Sequence, residues 1–503
     1  MSFELLKKLQ KIMLFMAIIC LPLNNLPKAF TLAGVGSILS NYFLFAAILL
    51  LVYEYFKFRF EINKKVIKFF AVFVIWQVVC LIIGLVTYEY NELLTLEQIP
   101  KLKAILYFLD KFSINLDELI AIKTWLFLRF SKNILFTNNI IFFAAFYIWH
   151  LYRNSFDEAF KDVRKAILCL VLVMGAYSFV ELLWLKIGLK FAEDFLININ
   201  PLLYEPKSNH GWWPPLLWNN QLRSICLEPS YFAIISILCL PFLWSLLFNK
   251  ENKFLSYLLI FYFTLMIAAT NARTAVVLVI AEILLLGVFS IIRRNLLKKF
   301  FVILFITVLA FTANLVDYRQ LLNNGNIDGI SAENYFERNV GSITKSNARS
   351  NSARLANLVA NLETIEQYPV FGTGTGLKDA YINSNLPEFA YNNYEVRNWS
   401  RYMYNEGVLK SGFPPLNKFA DITVQNGLIG LILYFLPLLY ILKEVFKLRK
   451  LIIFDCRTIM SIIVMIALLG AMMSNSALII CNGIVWGLLY CKINSIETDD
   501  TKN

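Results

Sequence analysis

Charge is what this sequence has least of: Asp, Glu, Lys and Arg make up 16% of its 503 residues, against roughly a quarter in a soluble domain. With 58% hydrophobic residues as well, the chain cannot cover itself in polar surface, so its solvent is lipid. Histidine is nearly missing, with His150 and His210 the two copies. The eight cysteines form no CxxC pair, and Cys20, Cys80, Cys169, Cys239 and Cys481 fall inside apolar runs. Neither a disulfide framework nor a zinc site is therefore indicated. A cleavable leader is not evident: the first apolar run, residues 12–21, has no small-residue cleavage site and reads as a retained helix.

What is abundant is long apolar runs. A spanning helix needs roughly 20 apolar residues, and by that measure helices are expected near 12–30, 36–54, 66–87, 132–150, 166–187, 229–248, 254–270, 274–291, 300–316, 421–442, 458–473 and 476–491. The fold class expected is an all-α polytopic membrane protein of about twelve helices. The net charge of +12 does not point to nucleic acid, because Lys and Arg cluster between the apolar runs, which is the pattern that fixes membrane orientation.

Lys7, Lys8 and Lys11, then Lys57 to Lys68, Arg153 to Lys165, Arg293 to Lys299 and Lys443 to Arg457 all fall on one side if the helices alternate. That side reads as the cytoplasm, with both termini in it. The long connections 88–131, 188–228 and 317–420 then lie outside. These divide the chain into N-terminal helices (1–187), central helices (188–316), a large outer loop (317–420) and C-terminal helices with a tail (421–503). Within the outer segments, Leu102, Ile105, Leu106 and Leu109 predict a helix on the membrane surface. Arg354, Leu355, Leu358, Val359, Leu362 and Ile365 predict an amphipathic helix ended by Pro369.

Residues able to carry chemistry gather outside. Arg223 and Glu228-Pro229 stand where a loop enters a helix, and free N–H groups at a helix start attract anions. An arginine fork there suits phosphate; an Arg–Glu pair capping the helix explains it equally well. Arg273 occupies a minimal outer turn, where a cation near hydrocarbon usually has a partner or a task, unless it only snorkels to headgroups. Glu181 and Glu282 fall inside spanning helices, as structural acids or functional ones. Trp212, Trp213 and Trp218 can stack on sugar rings or anchor the interface, and His210 lies beside them. The run Gly372, Gly374, Gly376 lacks a nucleotide-binding context and reads as a flexible turn.

Four stretches together resemble the O-antigen ligase and Wzy-type O-antigen polymerase superfamily. Arg223 with Glu228-Pro229-Ser230 resembles its arginine and EPS-type segment. Ala272-Arg273-Thr274-Ala275 is similar to its S-R-x-A turn, and Arg354 through Pro369 to Gly374 to the arginine–proline–glycine stretch of the large loop. Asn417 through Gly427-Leu428-Ile429-Gly430 resembles the approach to the next helix. The resemblance implies a GT-C-like, metal-independent glycosyltransferase of the bacterial inner membrane, needing no cofactor and taking an undecaprenyl-diphosphate-linked oligosaccharide as donor. It implies catalytic roles for Arg223, Arg273 and Glu228, with Arg354, Trp212, Trp213, His210 and Asn417 binding substrate. Besides membrane lipids, a chain-length regulator protein is a partner implied by family alone.

The departure is Leu416, where the ligase pattern has a histidine. That favours a repeat-unit polymerase over a ligase acting on lipid A core, and it leaves the general base open between Glu228, Asp421 and His210. A polysaccharide or lipid transporter is a further alternative, though no internal repeat of the kind transporters show is visible.

Overall fold

The computed structural model describes residues 2–32, 35–60, 63–90, 94–153, 155–205, 221–248, 253–316, 349–449, 455–474 and 478–500. Its helices are α1 (Phe3–Ile19), α2 (Leu39–Phe58), α3 (Lys64–Thr87), α4 (Pro100–Asp110), α5 (Glu118–Asn133), α6 (Ile140–Leu151), α7 (Phe156–Leu182), α8 (Lys190–Leu203) and α9 (Pro229–Trp244). They continue as α10 (Lys253–Ala269), α11 (Arg273–Ile292), α12 (Leu297–Leu315), α13 (Arg349–Gln367), α14 (Lys378–Ser384), α15 (Tyr394–Glu406), α16 (Lys418–Lys447), α17 (Cys456–Met472) and α18 (Ile480–Asp500). Among the described residues there is no strand.

Among the described residues, seven helical stretches are long and apolar enough to cross a bilayer, or eight if the bent pair α5–α6 is one span. The expectation of about twelve is not reached by that measure, partly because α10 and α17 are shorter apolar helices. The first expected span is displaced: α1 begins at Phe3 and stops at Ile19, before Pro22. The span expected at 132–150 is bent by 41° at Asn139. A π-turn over Ile134–Asn138 loosens the backbone there. The buried Asn139 amide donates to Gln77 Oε1 (3.0 Å) and to the Ile134 carbonyl (2.7 Å), satisfying groups the bend exposes.

Two apolar cores form. The larger is built from α9, which is buried along nearly its whole length, with α6, α7, α11, α17 and α18 around it. The smaller joins the end of α3, α4 and α5 to α13, α14 and α15, with Leu102, Leu126, Phe130, Ala356, Ile382 and Met403 among its members. Of the three long outer connections, 88–131 and the described part of 317–420 thus share one hydrophobic centre.

The expected surface helix is α4, with Leu102 buried and Ile105 and Phe108 exposed. The amphipathic helix is α13, but its face is not the leucine face. Leu355 and Leu362 are exposed, while Ala353, Ala356, Asn357, Ala360, Asn361 and Thr364 are buried. Small side chains let α13 lie close to its neighbours, and the two asparagines bond each other and the Pro414 carbonyl.

Polar contacts collect at opposite ends of the bundle. At one end Lys7 pairs with the buried Glu54 (2.8 Å), Lys11 with Glu158, Arg457 with Asp157 (3.0 Å) and Lys492 with Asp455 (2.9 Å). These residues lie in the first half of α1, at the starts of α7 and α17, near the end of α2 and in the second half of α18. The other end carries the starts of α9, α11 and α16 together with α13–α15.

Candidate functional site

Arg273 is the first residue of α11, reached through a turn in which Asn271 adopts φ +47°. Thr270 fixes that turn by accepting the Ala272 N–H at its hydroxyl (3.1 Å). The preceding loop is bound alongside, since the Leu222 N–H donates to the Ala269 carbonyl (3.0 Å). Glu228, the N-cap of α9, thereby comes to the same end of the bundle as Arg273. Its carboxylate accepts from the Ser230 hydroxyl (3.2 Å).

α13 closes over this end. Arg273 Nη1 donates to Asn351 Oδ1 (3.0 Å). Arg354, one turn further on the same face of α13, donates from Nη1 to the carbonyl of Ser474 beyond α17 (2.7 Å). Burial lowers the pKa of Arg354 below the ordinary arginine value, and so does the neighbouring Arg273 cation; Glu395 and Glu228 act in the opposite direction. Glu228, Arg273, Arg354 and Glu395 thus share one electrostatic neighbourhood although they come from four separated segments. Two guanidinium groups held close repel each other, and an anion between them relieves that repulsion. Chemically, this is a place to receive a doubly charged phosphate group.

Arg223 is held by a different set of contacts. Its side chain is buried, its guanidinium lies 4.9 Å from the centre of the Tyr204 ring, and Nη1 donates to the Leu227 carbonyl (3.4 Å). Nε and Nη2 have no hydrogen-bond partner among the described residues. The backbone around it is pinned by Glu181, whose two carboxylate oxygens accept the N–H groups of Arg223 (3.1 Å) and Ser224 (2.8 Å). Glu181 is therefore the structural acid of the two readings, holding a loop in which Ser224 takes φ +55°. Glu282 is fully buried in α11, and neither carboxylate oxygen has a hydrogen-bond partner among the described residues.

The remaining residues divide cleanly. Asn417, expected to bind substrate, caps α16 by accepting the N–H groups of Phe419 (3.0 Å) and Ala420 (3.1 Å). Asp421, a possible base, is engaged by Lys378 and Lys418, each at 3.1 Å, and by Gln425 (3.0 Å). Trp212, Trp213, Trp218 and His210 lie outside the described residues.

The glycine run is not the flexible turn expected. Gly372, Gly374 and Gly376 all take positive φ, and the run docks into a break of α16 at Gly427 (φ +67°). Backbone bonds seal the joint: Thr373 N–H to the Val424 carbonyl (2.7 Å), Gly374 N–H to the Gln425 carbonyl (3.1 Å) and Leu428 N–H to the Pro369 carbonyl (2.8 Å). Carbonyls and amides freed by the break find partners in the segment that follows α13. The joint therefore fixes where α13, and Arg354 with it, sits over α11.

Sequence reasoning missed Asn351 and Glu395. Asn351 was within reach, standing one helical turn before Arg354; Glu395 belongs to no recognisable pattern and is located only by the fold.

Comparison with known proteins gives one result: residues 258–435 match the family model described as O-antigen ligase. No curated protein matches the chain. The matched stretch runs from α10 to within α16, taking in Arg273, Arg354, the glycine run and its dock; Arg223 and Glu228 precede it.

Proposed function

We propose, from the match of residues 258–435 to the O-antigen ligase family model, that this chain is a repeat-unit polymerase for a surface polysaccharide. It joins undecaprenyl-diphosphate-linked oligosaccharides outside the cytoplasmic membrane. The observation that carries this reading is the docking of α13 at the start of α11, where Arg273 bonds Asn351 (3.0 Å) one turn before Arg354, with Glu228 acting on Arg354 electrostatically.

In the proposed reaction the glycosyl C1–O bond to the donor diphosphate breaks and a hydroxyl oxygen of the acceptor sugar bonds to C1. The bonding electrons leave with the diphosphate, where Arg273 and Arg354 stabilise the developing charge. Glu228 takes the acceptor proton, a task for a carboxylate held next to the reacting hydroxyl. Arg223, under Tyr204, positions the loop that carries Glu228. The Trp212–Trp213 segment and His210 remain proposed contacts to the glycan.

The description of the matched family favours a second reading, a ligase that passes the glycan to lipid A core or another acceptor. Leu416 in place of the ligase histidine supports the polymerase. Deleting the gene separates the two in the glycan ladder. A polymerase deletion keeps single repeat units on the surface acceptor; a ligase deletion loses even those and accumulates lipid-linked polymer. Accumulation of units facing the cytoplasm would instead indicate a transporter and overturn both.

A further inference from the structure

A cavity of about 370 Å³ opens at the bundle end remote from the arginines, between the start of α3, the end of α6, the middle of α16 and α18. It is independent of the glycosyl-transfer reading. Its walls are mainly aromatic, with Phe70, Phe146, Trp149 and Trp486 prominent, and Asn63 and Lys65 stand among them at the first turn of α3. The volume falls within the range of small-molecule sites, roughly 300–1,000 Å³.

Water does not suit such a space. Filling it with ordered water needs two to four polar partners for each molecule; Asn63, Lys65 and Asn494 can supply some, but the stretch lined by Phe70, Phe142, Phe146 and Trp486 cannot. An empty void would forfeit packing contacts on all sides. Tyr440 is 43% exposed, so the cavity opens to the molecular surface on that side. The site therefore offers apolar length and cationic charge at one edge. Lys64, Lys65 and Lys68 are all exposed on the first turns of α3, where backbone N–H groups at the helix start add positive potential. That combination complements a lipid whose tail is apolar and whose headgroup is negative.

We propose that this cavity is a binding site for one anionic phospholipid, with an acyl chain between α3, α6, α16 and α18 and the phosphate at Lys65. The full chain, purified in detergent from vesicles of equal phosphatidylglycerol and phosphatidylcholine, is examined by native mass spectrometry. One phosphatidylglycerol is expected to remain bound in preference to phosphatidylcholine. Lys65→Ala, on an exposed position, should lower that preference about fivefold. Val66→Trp, which fills the cavity from its rim, should remove bound lipid altogether. Brominated-chain phosphatidylglycerol should quench tryptophan emission more than brominated phosphatidylcholine, and Trp486→Phe should shrink the difference. Equal retention of the two lipids, or unchanged preference in Lys65→Ala, overturns the proposal. Quenching that ignores the headgroup overturns it too.

Discussion

Arg273 shows how much a single side chain depends on its surroundings. From the sequence it stood out because the short outer turns otherwise carry little positive charge; the fold adds Asn351 at 3.0 Å and Arg354 in the same electrostatic neighbourhood. On the proposed mechanism, Arg273→Ala lowers chain extension about 10²–10³-fold while the protein remains in the membrane, read from ladder length and immunoblot together. Glu228→Gln keeps the shape but cannot take a proton, and should cost roughly 10²-fold or more in rate in a reconstituted assay. Glu181 makes a contrasting case. Removing its carboxylate in Glu181→Ala strands two buried N–H donors, each worth about 1–3 kcal/mol, so melting temperature should fall before any specific kinetic change. The placement of Arg223 under Tyr204 was not legible, because that contact is decided by the residue that ends α8, which no local pattern ties to residue 223.

The decisive element is the joint between the glycine run and α16. A methyl group at Gly427 would sit 1.8 Å from the Val370 carbonyl oxygen, on a backbone with φ +67°. A methyl at Gly84 of α3 would sit 2.3 Å from the Thr373 carbonyl oxygen. Neither neighbour is a flexible side-chain tip, so Gly427→Ala and Gly84→Ala should each lose folded protein in thermal melts, by ~2 kcal/mol or more. Gly470→Ala, whose nearest neighbour would be at 3.5 Å, should melt like wild type. From sequence both glycine motifs were visible, but their mutual contact was not, since a backbone pairing across 50 or so residues leaves no periodicity to read. The same limit explains the reversed face of α13. Hydrophobic spacing pointed to its leucines, whereas close approach favoured its alanines and asparagines.

At the scale of the whole molecule, the all-helical membrane architecture was legible because twenty-residue apolar runs are set by bilayer thickness. The number of spans was less so: α1 ends early at Ile19, α10 and α17 are short, and Asn139 bends the α5–α6 pair, features set by packing and buried amides. The basic clusters predict which end faces the cytoplasm. In a cysteine-free background, Ser411→Cys should react with a membrane-impermeant maleimide on intact cells, and Lys447→Cys only after lysis. The reverse pattern would invert the orientation and place the arginines away from any external donor.

The central claim is that cations from distant parts of the chain jointly hold a lipid diphosphate. Binding of undecaprenyl diphosphate to the purified protein in nanodiscs tests it most directly. Arg273→Ala and Arg354→Ala should each weaken binding, and the double variant should lose less than the sum of the two, because the residues act on one anion. Unchanged affinity in both single variants, or strictly additive losses, would contradict a shared diphosphate site.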